Sequence, residues 1–178
     1  MAKALPVYAV NPQGALLENA PLILHTRLEE MYRFVPYIAD PARTAELHNM
    51  RIAAKRLRYT MEIFAPCFPG REFPKIYDQV KSIQEQIGEI HDADVRGPLF
   101  QGFVDTHADQ RPEIRVGLEA LARAEQAKRA KLYQEFLAYW SNLQKRGFKQ
   151  RFLQMLVRAE APPVPEKETT DEEHSQEG

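Results

Sequence analysis

Apolar residues recur along this chain at three- and four-residue steps, the period of a helix with one buried face. Leu24, Leu28, Met31, Val35 and Ile38 share one stripe, predicting a helix after Pro21 that runs to about Ala39 and is kinked at Pro36. Asp40-Pro41 stops it, and a second helix is expected from about Ala42 to Ala65, ended by Pro66, Pro69 and Gly70. A third begins near Phe73 or Pro74 and carries Ile76, Val80, Ile83, Ile87 and Ile90 on its buried stripe. Gly97-Pro98 is expected to bend or break it, with a short helix over Leu99–Val104 beyond. Arg111-Pro112 opens a long fourth helix whose Ile114, Leu118, Leu121, Phe136, Leu137 and Trp140 supply apolar surface. Gly147 interrupts it, and Phe148–Ala159 reads as a last helical piece.

Strand-like alternation is scarce, and the long segments are rich in good helix formers. The expected class is therefore all-α, and four long helices with short connections suggest an antiparallel four-helix bundle. Residues 1–20, with turn signals at Pro6, Asn11-Pro12 and Gly14, read as an irregular lead-in. Residues 21–160 read as the helical domain, and 161–178 as a disordered, acidic, proline-containing tail.

The second helix changes the picture. At about 100° per residue, Leu47, Met50, Ala53, Ala54, Leu57, Met61 and Phe64 gather on one side. His48, Arg51, Lys55 and Arg58 form a strip on the other, three or four residues apart, with Arg56 and Tyr59 beside them. Solvated helix faces commonly mix signs, because i,i+4 ion pairs add a few tenths of a kcal/mol each. Here no acid occurs between His48 and Arg58, and Glu62 is the first that could pair with the strip. A one-sign strip is a candidate anion site, with a solvated face as the plain alternative. On the third helix Lys81, Gln84, Gly88 and His91 share a stripe, where Gly88 would admit a ligand or a neighbouring helix closely. Arg27 borders the apolar stripe of the first helix and could join the site. Lys128, Arg129 and Lys131 read as solvated.

Net charge is −1 over 178 residues, but the average hides an asymmetry. The tail from Pro162 holds six acids and one base, leaving 23 bases against 19 acids in the rest, about +4. Cys67 is the one cysteine, which excludes an internal disulfide and fits a reducing compartment. No secretory signal and no stretch of about 20 apolar residues is evident, so the expected location is cytoplasmic with no membrane partner.

LHNMRIAAKRLRYTMEIF (47–64) followed by VKSIQEQIGEIHDADV (80–95) resembles the conserved histidine α-helical domain family, CHAD. That family's first helix has the form His-x-x-Arg-x-x-x-Lys-Arg-x-Arg-Tyr-x-x-Glu, matched by His48, Arg51, Lys55, Arg56, Arg58, Tyr59 and Glu62. Its second has the form Leu-x-x-Leu-Gln-x-x-Leu-Gly-x-x-x-Asp, matched by Gln84, Gly88 and Asp92 with Val80, Ile83 and Ile87 in the leucine places. The resemblance implies non-catalytic binding of inorganic polyphosphate. The expected ligands are His48, Arg51, Lys55, Arg56, Arg58, Tyr59, Lys81 and Arg27, with no cofactor and no metal. Association with polyphosphate granules follows as an expectation. Typical members contain two four-helix bundles, whereas this chain is similar to the C-terminal half, so a homodimer that rebuilds the two-bundle groove is expected.

Three other readings compete. A nucleic-acid-binding helical protein would use the same cations, but no groove-reading motif or base-reading Asn/Gln pair accompanies them. A phosphohydrolase is suggested only by His91-Asp92 with Asp94 nearby, without a second ligand cluster. A helical protein-interaction module would leave the strip as surface charge.

Overall fold

The computed structural model describes residues 3–107 and 112–160. The acidic tail expected over 161–178, and Arg111, lie outside the described residues. The described chain is all-helical: α1 (Leu16–Tyr32), α2 (Thr44–Phe64), α3 (Glu72–His107), α4 (Pro112–Lys145) and α5 (Phe148–Glu160), with 3-10 turns at Val35–Tyr37 and Ala65–Cys67. Helix α1 packs on α2 and α5, α2 on α3, and α3 on α4.

The first helix starts at Leu16, before the position that Pro21 suggested, and it keeps Pro21 inside. Proline there costs one backbone hydrogen bond. The loss is offset because Ala20, Pro21 and Leu24 are buried and because Asn19 ties the lead-in to the helix. Asn19 Nδ2 donates to the Asn11 carbonyl and its Oδ1 accepts from the Asn11 N–H, both at 2.9 Å. The same helix ends at Tyr32 rather than continuing through a kink, and Pro36 sits in the 3-10 turn instead. Pro36 has no N–H to continue the four-residue ladder, and the bonds tighten to three-residue steps, Phe34 to Met31 at 3.3 Å and Tyr37 to Phe34 at 3.0 Å.

Helix α3 also departs from expectation, running unbroken through Gly97 and Pro98 with no separate helix at Leu99. A single lost hydrogen bond is tolerated in a helix of 36 residues held along its side by α4. The two helices run in opposite directions. Asp94 meets Arg129 at 3.0 Å, and Arg96 meets Glu125 at 3.2 Å, two residues forward along α3 and four back along α4.

The core is the one the periodicity marked. Leu24, Leu28, Met31, Met50, Leu57, Met61, Ile76, Val80, Ile83, Ile87, Ile90 and Phe136 are fully buried. Burial of each large apolar side chain contributes about 1.5–3 kcal/mol. Tyr133 closes one end, donating its buried hydroxyl to the Ile38 carbonyl at 2.6 Å. The apolar surface of α4 is only half used, however. Phe136 and Trp140 are buried, but Ile114 and Leu121 stay exposed, because α3 and α4 extend past the α1–α2 layer. No helix among the described residues is long and apolar enough to cross a membrane.

The Ile83→Ala variant should lose about 2–5 kcal/mol of unfolding free energy in a denaturant titration, because the cavity lies at the centre of the isoleucine stripe. A loss below about 1 kcal/mol would mean that α3 is not the central core helix.

Candidate anion site along the α2–α3 seam

Helices α2 and α3 are joined by a short turn, so they lie antiparallel and side by side. Three contacts set their register. His48 Nδ1 stands 3.3 Å from His91 Nδ1. A Cβ at Gly88 would stand 3.3 Å from Arg51 Nε. Tyr77 donates its hydroxyl to Glu62 at 2.7 Å. Each advance along α2 is matched by an equal step back along α3. The same matching sets Lys55 across from Gln84, and Arg58 across from Lys81. Gly88 thus serves the close approach of a neighbouring side chain: the Arg51 guanidinium lies over it.

The seam is short of acids. Arg51 and Lys55 have no ion pair with any described residue, and Arg51 Nε is buried with no hydrogen-bond partner among them. An orphaned buried donor costs about 1–3 kcal/mol, so this guanidinium is poised for an acceptor. Arg58 Nε lies 3.4 Å from Glu62, and Lys81 Nζ 3.9 Å from Glu85, both at the outer margin. Tyr59 is exposed between two cations, its ring centroid 4.7 Å from the Arg58 guanidinium carbon and 5.6 Å from Lys55 Nζ. Its quadrupole holds both within reach of the seam. The two imidazoles lie 4.4 Å apart between centroids with their planes tilted by 43°, one donating and the other accepting. Burial, then His91, then Arg51 push the pKa of His48 below its ordinary value.

Six of the eight residues expected as ligands therefore belong to this seam: His48, Arg51, Lys55, Arg58, Tyr59 and Lys81. Arg56 and Arg27 do not. They turn toward α1, where the buried carboxylate of Glu30 takes both. Arg27 Nη1 is 2.6 Å from Glu30 Oε2, and Arg56 Nη2 contacts Oε1. Sequence reading missed Glu30, whose signal was its three-residue spacing from Arg27. It also left out His91 as a site residue, although His91 shares the Lys81–Gln84–Gly88 stripe. Arg129, expected in water, is instead bracketed by Asp94 and by the Pro41 carbonyl at 2.8 Å. Asp92 is exposed and takes none of the arginines, whereas its neighbour Asp94 takes Arg129. Among the described residues, no three His, Cys, Asp or Glu side chains converge as a metal-binding group.

The family pattern of the CHAD domain matches residues 3–101, which takes in α1, α2 and most of α3. The chain belongs to the CHAD domain family. No curated protein and no solved structure matches it. The matched span contains the whole seam, and α4 and α5 lie beyond it.

His48 gives this CHAD chain a pH dependence of known sign. The folded state lowers its pKa, so the unfolded chain binds that proton more readily near pH 6.5. Its contribution is in place above that value and is lost as pH falls. Between about pH 7 and pH 5, unfolding free energy should drop more steeply in the parent than in His48→Asn. Identical slopes would show that His48 titrates as it does in water.

Proposed function

We propose that this chain is a non-catalytic module that binds inorganic polyphosphate along the α2–α3 seam. The observation that carries the reading is the pair Arg51 and Lys55, one turn apart and without an acid partner among the described residues. Polyphosphate is a dense polyanion with no bases, so charge and spacing suffice to recognise it. From Arg51 to Arg58 the helix advances about 10 Å, enough for several successive phosphates. Arg51 and Arg58 take phosphate oxygens through forked donors, Lys55 and Lys81 add compact charges, and the His48–His91 pair has one Nε2–H to donate when neutral and two when protonated. In this reading Tyr59 keeps Lys55 and Arg58 apart, and Arg27 and Arg56 serve the fold through Glu30. Membership of the CHAD family supports the ligand class.

The architecture in this proposal is an antiparallel four-helix bundle resembling one half of a two-bundle CHAD domain, and two copies pair to complete it. The support is the overhang of α3 and α4, where Leu99, Phe103, Ile114 and Leu121 are exposed. Isologous contact through this hairpin puts two more helices on each. The free thiol of Cys67 suits a reducing compartment, so the proposed site of action is the cytoplasm, at polyphosphate deposits.

Calorimetric titration of long-chain polyphosphate into the full chain should give binding that weakens as salt is raised, through counterion release. The double variant Arg51→Ala/Lys55→Ala should bind at least about 100-fold more weakly, given about 1.5–3 kcal/mol for each charged hydrogen-bonded contact. Single-stranded RNA of equal charge should compete poorly. No heat at low or moderate salt would end this reading, and equal competition by RNA would move it to nucleic acid.

Light scattering should report a dimer for the parent and a helical monomer for Leu99→Glu/Leu121→Glu. A parent that stays monomeric at high concentration while binding polyphosphate tightly would remove the pairing and leave the ligand assignment standing.

A further inference from the structure

A second concave site lies away from the seam and shares no residue with it. The turn between α2 and α3, the start of α1 and one side of α5 enclose a cavity of about 650 Å³, a common size for small-molecule sites. Its walls are Leu17, Phe68, Phe73 and Met155. Phe68 and Phe73 stack at 5.5 Å with nearly parallel rings and form a rigid apolar side. Gly70, at φ +121°, makes the turn that bounds the cavity, and no atom stands within 4 Å of where its Cβ would be.

Three arginines line the same cavity: Arg71 from the turn, and Arg151 and Arg158 one above the other on α5. Arg71 and Arg158 form no ion pair with any described residue. Arg151 gives Nη2 to Gln79 at 3.0 Å, while its Nε is buried without an acceptor among the described residues. The one acid in the lining, Glu72, is taken by Lys75 at 2.7 Å, which holds its carboxyl below the usual range. Apolar walls beside three guanidinium groups, with their single acid already engaged, are unfavourable when empty. The three arginines repel one another, and the part of the apolar lining that meets solvent, Leu17 at 44% exposure foremost, orders water. Both costs fall when an anion with an apolar body enters.

We propose that this cavity binds a small amphiphilic organic anion, with its carboxylate or phosphate head on Arg151, Arg158 and Arg71 and its apolar body against Phe68, Phe73 and Met155. A bare phosphate chain cannot use the apolar walls, so the site differs in ligand class from the seam. Its occupancy is independent of the polyphosphate reading.

The test uses decanoate, below its micelle concentration, titrated into the full chain by calorimetry. Saturable one-to-one binding is expected. 1-Decanol, which keeps the body and loses the charge, should bind at least about tenfold more weakly. Arg151→Gln/Arg158→Gln should weaken decanoate by a similar factor while polyphosphate affinity stays unchanged. Met155→Trp, which fills the cavity and keeps all three arginines, should abolish decanoate binding. Thermal unfolding followed by circular dichroism confirms that each variant is folded. No decanoate binding to the parent overturns the proposal, as does displacement of decanoate by short-chain polyphosphate. So does binding that appears only after residues 162–178 are deleted, because the acidic tail would then be the occupant. Failure of the seam experiment with success here, or the reverse, separates the two assignments.

Discussion

The antiparallel register of α2 on α3 is the constraint on which the rest of this molecule depends. Apolar burial sets it: Met50, Leu57 and Met61 from one helix and Ile76, Ile83, Ile87 and Ile90 from the other are fully buried in one core. Once those faces meet, the polar flanks have no freedom to choose partners. His48 falls on His91, Arg51 on Gly88 and Glu62 on Tyr77. A slip of one turn would move Arg51 onto Gln84 or Asp92 and strip it of its glycine. The cations are brought together because the hydrophobic effect, which is larger and not directional, fixes the frame first.

Charge is distributed by burial around that frame. On the α1 side, Glu30 is almost fully buried and is compensated by two arginines. Removing a charge from water is costly without such partners. On the α3 side the arrangement is reversed: arginine and lysine gather and the acids stay at the margin. The same helix therefore has a neutralised flank that serves packing and an unneutralised flank that faces the open seam. Arg56 and Arg58 are two residues apart and sit on opposite sides of that division.

The α3–α4 pair follows a different logic. Its inner half is covered by α1, α2 and α5, while its outer half buries little beyond Ala93 and Val104. The Arg96–Glu125 salt bridge ties the outer half of α3 to α4, and Arg115–Glu119, an i,i+4 pair within α4, supports that helix locally. Exposed ion pairs contribute about 0–1 kcal/mol each, so this half is held less strongly than the core.

The sequence alone determined the helical class, the core and the cationic strip, because each is a periodicity along one helix. Leu24, Ile83 and Phe136 had to be buried wherever their helices packed, and His48, Arg51, Lys55 and Arg58 had to share a face. Helix ends were less legible. Pro21 and Pro98 are local breaking signals that the contacts of Asn19 and of α4 override, whereas Pro36 lies in a 3-10 turn beyond the helix end rather than at a kink within it. Only the tertiary structure decided which cations stay available. That choice rests on which helix lies alongside, and on the distance between side chains far apart in sequence: Arg56 and Glu30 are 26 residues apart, His48 and His91 43. A wheel drawn for one helix places Arg56 near Lys55, but it has no means of showing that a buried carboxylate on α1 will take it.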